Sequence, residues 1–289
     1  MYTSLKAAHV LFSLGFPHKL IQPGDAYGVK DQEWITGGEI FPITTPIIPP
    51  SVTKRGTWLP STLDLLIWLM YYTDQLWVKH DTNESECVTI QAIKTKHTFK
   101  LQDTCSLEFS LSRIAIQLLI KLKKEHARSF THTPPRALYP ISQELAARER
   151  RYLTEQEMIN LTKIGFSIDH GHLQSEGDCH AYEGKSFVLG GPLFFRKTPA
   201  LLCPMEIRTS GMRLASFDEL ETWLLNRVAF VMIKEKGKPH RATLYLEKGE
   251  FSVESDSFLN LFQNLIIKTL EIAPELAPCD QPEPVRLQM

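Results

Sequence analysis

The sequence predicts an α+β protein made of two homologous helix/antiparallel-sheet/helix domains that pack as an intramolecular pseudo-dimer. Three observations support this fold class. Short blocks of residues recur in the same order, 147 to 155 positions further along the chain. Each recurring segment contains short β-rich runs joined by polar turns, which is typical of an antiparallel meander. Each segment then closes with an amphipathic helical pattern that can cover one face of such a sheet.

The recurring blocks define the domain boundaries. The clearest block is Trp68-Leu69, which returns as Trp223-Leu224 although the chain has only 5 tryptophans. A repeat of this length indicates tandem domains and not a solenoid. We therefore predict a first copy over 1–125, a linker and helix extension over 126–152, a second copy over 153–276 and a flexible tail over 277–289.

The first helix of each copy is marked by residues at its ends. Helical spacing of apolar residues over Leu5–Leu14 predicts a helix that Gly15 stops with a left-handed cap. In the second copy, Thr154 and Glu157 have the spacing of a capping box, which predicts a helix start. The charged stretch 142–152 is expected to extend this second helix backwards.

The stretch that follows the first helix, 17–60, contains Gly-Gly, Thr-Pro and Pro-Pro pairs. These residues predict mostly loop, with one strand near 39–43. Loops of this length are uncommon in compact domains unless they are functional or disordered. The stretch is therefore a candidate for a functional role.

The remaining elements appear in matching pairs. A second helix is predicted at Ser61–Tyr72 and again at Ser216–Asn226, each with a serine in the N-cap position. Three short strands follow in each copy. In order, they are Leu76–His80, Val88–Lys94 and His97–Leu101, then Val228–Lys234, Arg241–Leu246 and Glu250–Val253. The closing amphipathic helices are Ser110–Lys124 and Ser257–Ile272.

Composition narrows the classes of partner and compartment. Lysine plus arginine number 32 against 33 acidic residues, so the net charge of -1 gives no field to attract nucleic acid or an anionic membrane. The longest apolar run, 65–72, is much shorter than the ~20 residues of a membrane span. The 5 cysteines are odd in number and do not recur between the copies, which favours free thiols. We expect a cytoplasmic protein with no nucleic-acid or membrane partner.

One segment resembles a known family. Trp58-Leu59-Pro60-Ser61, a helix containing Trp68, short strands, and a last helix opened by Ser112-Arg113-Ile114-Ala115-Ile116 are similar to the phage α/β/α sandwich domain. The resemblance covers 56–124 and, weakly, 213–272, where Phe258-Leu259-Asn260-Leu261 lacks the Ala-Ile signature and no proline precedes Ser216. It implies a phage or prophage setting and a sandwich fold. It implies no catalytic residues.

A Gly-Asp-Ala-Tyr element, followed by a glycine pair, recurs in both copies and is the main candidate for ligand binding. Its candidate residues are Asp25, Tyr27, Gly37 and Gly38 in the first copy and Asp178, Tyr182, Gly190 and Gly191 in the second. A carboxylate, an aromatic ring and close backbone approach suit a small polar ligand or a peptide. An alternative interpretation is structural, with the aspartates closing turns and the tyrosines capping the core.

The second copy also contains a candidate metal site. His170, His172, Cys179 and His180 supply the imidazole and thiolate ligands that zinc accepts. The first copy has no equivalent residues, and the spacing matches no established motif. The alternative is a histidine-rich polar loop that titrates near neutral pH.

These patterns, with the phage or prophage setting that the resemblance implies, favour a non-catalytic accessory protein that binds a protein partner or small ligand through the repeated loops. The alternatives are an immunity or antitoxin-like protein and a metal-dependent hydrolase that uses the His/Cys-rich loop of the second copy. The hydrolase-elbow, Walker, dinucleotide-binding, zincin and kinase motifs are all absent from the sequence. Lone acids such as Asp64 and Glu219 are predicted to be solvated, and Trp68 and Trp223 to anchor the core.

Overall fold

The computed structural model of the chain describes residues 1–18, 21–29, 32–41, 49–81, 87–94, 97–103, 106–129, 150–168, 177–192 and 205–277. The helices are α1 (Leu5–Ser13), α2 (Pro50–Arg55), α3 (Thr62–Tyr72), α4 (Leu107–Ser129), α5 (Glu155–Lys163), α6 (Met205–Ser210), α7 (Phe217–Leu225) and α8 (Phe258–Ile272). The first strands are β1 (Ala26–Val29), β2 (Gln32–Ile35), β3 (Gly38–Phe41), β4 (Thr57–Leu59), β5 (Gln75–Asp81), β6 (Cys87–Lys94) and β7 (His97–Asp103). The later strands are β8 (Cys179–Tyr182), β9 (Lys185–Val188), β10 (Gly191–Pro192), β11 (Met212–Leu214), β12 (Ala229–Glu235), β13 (His240–Leu246) and β14 (Gly249–Ser255). The fold is therefore mixed α+β, as the sequence predicted at this level.

A six-stranded antiparallel sheet forms the centre of the protein, with the strand order β14-β13-β12-β5-β6-β7. The two central strands come from distant parts of the sequence, and Val78 of β5 lies opposite Met232 of β12. Each flanking pair of strands continues as a meander, so one half of the sheet comes from 75–103 and the other from 229–255.

Helices cover one face of this sheet. Helix α4 packs on β6 and β7, helix α8 packs on β13 and β14, and α3 and α7 contact each other. Alternate strand residues such as Val78 and Phe230 point into this layer and are buried, as the two-residue period of a strand requires. Trp68 and Trp223 are 0% and 4% exposed, which confirms their prediction as core anchors. One continuous core contains residues from both predicted copies.

Two four-stranded antiparallel sheets flank the central one, with the orders β10-β2-β1-β4 and β11-β8-β9-β3. Each contains a strand from the other part of the chain. Strand β3 leaves the β1-β2 hairpin and pairs with β9, while β10 leaves the β8-β9 hairpin and pairs with β2. The two sheets are thus tied together by an exchange of strands.

Local capping signals predicted several element ends correctly. Ser61, Thr154 and Ser216 are N-caps, and each belongs to a complete capping box. Gly15 follows α1 with a φ of 101°, which confirms the left-handed cap.

Two predictions about irregular segments were wrong. The described part of 17–60 contains four short strands and α2, where mostly loop was predicted, although the one strand predicted near 39–43 is present as β3. Strands β1 and β2 form a local hairpin that was missed, whereas β3 pairs with β9 and β2 with β10, which are far away in sequence. Helix α5 does not extend backwards into 150–153, because Thr154 caps its start and Tyr152 bridges to Ser216 in an extended conformation. The remainder of the predicted extension and most of the tail lie outside the described residues.

Candidate functional site

The first Gly-Asp-Ala-Tyr segment is closed by hydrogen bonds inside the protein. The Asp25 carboxylate accepts a bond from the backbone N–H of Gln22 at 2.8 Å, and the Asp25 N–H donates to the Thr36 hydroxyl at 2.9 Å. That hydroxyl donates in turn to the Gln22 carbonyl at 2.5 Å. Asp25 is 1% exposed. Its carboxylate therefore holds a turn together and faces protein, not solvent.

A buried guanidinium completes this cluster. Arg151 lies 3.4 Å from the Asp25 carboxylate and 3.2 Å from that of Asp64, and it also donates to the Gly24 carbonyl. Asp64 itself caps the start of α3 by accepting from the N–H of Ser61. The prediction that Asp64 is solvated was wrong, because the capping box and the arginine bury it. Buried charges require such pairing, since an isolated one is strongly disfavoured.

The second Gly-Asp segment has a similar cluster with a different cation. Arg213 on β11 donates to Asp178 at 2.8 Å and to Glu219 at 2.6 Å. Glu219 also accepts from the N–H of Ser216 in the α7 capping box, so its carboxylate is bound within the protein as well. The Arg213 side chain is 22% exposed against 13% for Arg151, which makes the second cluster the more solvated one.

The two tyrosines of the repeated element lie in different environments. Tyr27 is 7% exposed and lies on β1 between Trp34 of β2 and Trp58 of β4. Burial raises the pKa of the Tyr27 phenol well above its usual value, with the Asp25 carboxylate adding to the effect. Tyr182 is partly exposed at the end of β8, opposite Lys185. Ligand binding at these positions stays a prediction, and only Tyr182 presents an accessible ring.

The glycine pairs mark the point where the two exchanged strands cross. A Cβ atom built on Gly190 would lie 2.7 Å from the Cα of Gly37, and one built on Gly37 would lie 2.9 Å from the Gly190 nitrogen. Gly38 begins β3 and Gly191 begins β10, immediately after the crossing. Both pairs thus permit close backbone contact.

The candidate zinc ligands are only partly within the described residues. His170 and His172 lie outside them. Cys179 and His180 are buried neighbours on β8, and successive strand residues point to opposite faces of a sheet. A single ion would therefore not be bound by both side chains of the observed strand. Among the described residues, no group of three or more His, Cys, Asp or Glu side chains is arranged to hold a metal ion. The zinc site stays a prediction.

Sequence reasoning missed one accessible surface, the face of the six-stranded sheet opposite the helices. We call it the open face. Trp77 of β5 lies at its centre, 38% exposed, directly opposite Ile233 of β12 and Gln91 of β6. Val231 and Tyr245 also lie on it, and Tyr245 is 42% exposed. The alternation of each strand could have identified these side chains, but their assembly into one face depends on β5 pairing with β12, for which no local signal exists.

The open face is polar at its edges and carries Trp77, Val231 and Ile233 at its centre. A pocket on it is lined by Ile233, Glu235, Lys238, Pro239, Arg241 and Glu254. Its outer strands carry mainly threonine, glutamine, serine and charged side chains, including Thr98, Lys100 and Gln102 on β7 and Glu250, Ser252 and Glu254 on β14. An apolar centre with a polar rim is the general arrangement of protein–protein interfaces. The surface thus has the chemistry of a docking site.

The fold and these sites define a mixed α+β protein with antiparallel sheets and an exposed sheet face. A scan against models of protein families and searches of curated proteins and solved structures find no match to this chain. In the part of the chain that the structure describes, no helix is both long enough and apolar enough to cross a membrane.

Proposed function

We propose that this chain is a non-catalytic protein-binding module, in which two tandem copies of one domain form a pseudo-dimer and present the open face to a partner protein. The observation that carries the proposal is Trp77, 38% exposed between Ile233 and Gln91 at the centre of the sheet. Tryptophan is strongly enriched among the residues that dominate binding at protein interfaces.

The strand orders support the duplication. The central sheet is arranged as two meanders that meet at β5 and β12, and each small sheet takes one strand from the other half. The bridges Tyr2 to Ser61 and Tyr152 to Ser216 are also equivalent in the two predicted copies. A pseudo-twofold relationship accounts for all of these pairs.

The repeated polar residues support a role in binding over catalysis. Asp25 and Asp178 are both paired with arginines, and Asp64 and Glu219 are both occupied in capping boxes. A general acid or base must reach a substrate, and the carboxylates of Asp25 and Asp64 face the protein interior. In this proposal the Gly-Asp-Ala-Tyr segments stabilise the crossing of the two halves, and the open face performs the binding.

Site-specific crosslinking tests the proposal. A photo-crosslinking amino acid incorporated in place of Trp77 is expected to give a discrete protein adduct when cells that express the chain are irradiated. The matched control places the same amino acid at Gln117, an exposed position of α4 on the helical side of the sheet. Position 77 giving no adduct, or both positions giving the same adducts, would contradict binding at the open face.

A further inference from the structure

We infer that the partner seated on the open face is a second copy of this chain, in a symmetric face-to-face dimer. This inference rests on the proposed function and names its partner. Three observations support it: the two edge strands of the face carry opposite charge, its apolar residues lie at the centre, and its area is sufficient for a stable dimer.

Opposite charges lie on the two edge strands of the sheet. On the open face, β7 carries Lys100 between Thr98 and Gln102, whereas β14 carries Glu250 and Glu254 on either side of Ser252. A surface that is positive on one side and negative on the other can pair with its own copy if the copy is turned to reverse the two sides.

A twofold axis in the interface and parallel to the strands makes this reversal. Such an axis leaves the position along each strand unchanged and places β7 of one copy over β14 of its partner. Lys100 and Glu254 occupy the same row across the sheet. In order from β7 to β14, the residues of this row are Lys100, Gln91, Trp77, Ile233, Arg241 and Glu254. Trp77 then packs over Ile233 of the other copy on both sides of the axis. Facing sheets in sandwiches are rotated by roughly 30°, which keeps each edge over the oppositely charged edge.

The size of the face matches a specific interface. Six strands spaced about 4.8 Å apart, and about seven residues long at ~3.4 Å each, give a face of roughly 650 Å². Two such faces bury about 1,300 Å², within the range of about 1,200 to 2,000 Å² for stable protein interfaces. Incidental contacts between molecules in crystals mostly bury less than about 800 Å² in total.

Sedimentation velocity of the purified full chain over a range of concentrations tests the inference. The wild type is expected to sediment as a dimer. Trp77→Arg, which places a charge over the apolar centre, is expected to give a monomer. Lys100→Glu and Glu254→Lys each place like charges together at both edges, so each is expected to weaken dimerisation about tenfold. Gln117→Glu on the helical side is the control and leaves the dimer unchanged. Circular dichroism confirms that each variant is folded.

Mixing the two charge variants gives the sharpest result. In a heterodimer of Lys100→Glu with Glu254→Lys, both edges again pair opposite charges, so native mass spectrometry with one variant isotopically labelled should show the mixed dimer in excess of either homodimer. A monomeric wild type, a dimer insensitive to Trp77→Arg, or charge variants that do not combine would each overturn the inference. If the wild type is a monomer but crosslinking at position 77 captures a different protein, the proposed function stands and the second-copy inference fails.

Discussion

Gly37 and Gly190 lie backbone against backbone where the two exchanged strands cross. A methyl group on Gly190 would come within 2.7 Å of the Gly37 Cα, and the neighbouring atoms are main-chain atoms that cannot rotate away. The chain passes from this contact directly into β3 on one side and β10 on the other. The two glycines therefore set how closely the small sheets approach each other.

Gly190→Ala is expected to destabilise the protein by about 2 kcal/mol, because inserting a methyl group here forces the two backbones apart. Urea denaturation followed by circular dichroism measures the change in the free energy of unfolding. Gly184→Ala is the control, since its turn has a φ of 76° and open space around the new methyl group. Its cost should be limited to about 1 kcal/mol of backbone strain. A Gly190 variant no less stable than the Gly184 variant would contradict the close crossing.

Arg151→Met is expected to cost about 3 to 5 kcal/mol, because it leaves the buried carboxylates of Asp25 and Asp64 without their cation. Arg213→Met should cost clearly less, since that arginine is more exposed and water can solvate Asp178 in its place. Chemical denaturation of both variants makes the comparison. Adding Asp64→Asn to Arg151→Met should recover part of the loss. If the two arginine variants lose equal stability, or if the double variant recovers none, the ion pairs of Arg151 contribute little to the stability of the protein.

Thr36→Val is expected to cost about 1 kcal/mol, because it removes the hydroxyl that accepts from the Asp25 N–H and donates to the Gln22 carbonyl, leaving only their direct hydrogen bond at 3.1 Å. Thermal denaturation provides the measurement. Thr98→Val on the exposed side of β7 has the same change of shape without a buried hydrogen bond, and should be within about 0.5 kcal/mol of the wild type. Two variants of equal stability would exclude a structural role for the Thr36 hydroxyl.

The parts of the fold that the sequence predicted well depend on nearby residues. The helix start at Ser61 was found from a serine in the N-cap position, and the start at Thr154 from a capping box. The strands of the central sheet were found because short β-rich runs are separated by polar turns. Strand β3 was predicted from its own residues near 39–43, but its partner was not, since Gly38 pairs with Val188 of β9. Such pairings leave no local pattern.

The candidate sites show the same limit. Asp64 was predicted to be solvated because the sequence indicates only its position on a helix. Arg151, which buries it, comes from a segment 87 residues away. The open face could not be predicted either. Trp77 and Ile233 become neighbours only when β5 and β12 pair, and neither strand contains a signal for its partner.

Glu221 on α7 makes the stability of the protein depend on pH. The side chain is 0% exposed, and neither of its oxygens has a hydrogen-bond partner within the described structure. Burial raises the pKa of Glu221 to about 8, and the carboxylates of Asp218 and Glu108 add to the shift. The folded protein therefore keeps a proton that the unfolded chain releases near pH 4.5. The contribution of Glu221 to the free energy of unfolding is thus most favourable below that pH and falls as the pH rises toward 8.

Glu221→Gln is expected to remove most of this dependence, because glutamine is similar in shape and carries no charge to bury. At neutral pH the variant should be more stable than the wild type by a few kcal/mol. Each pH unit above the pKa of Glu221 in the unfolded chain, up to its pKa in the folded protein, contributes about 1.4 kcal/mol to this difference. Below pH 4.5 the two proteins should be equally stable. Urea denaturation at several pH values between 4 and 9 measures both limits, with Glu247→Gln in an exposed turn as the control. A constant difference between Glu221→Gln and the wild type across this range would show that Glu221 does not titrate in the folded protein.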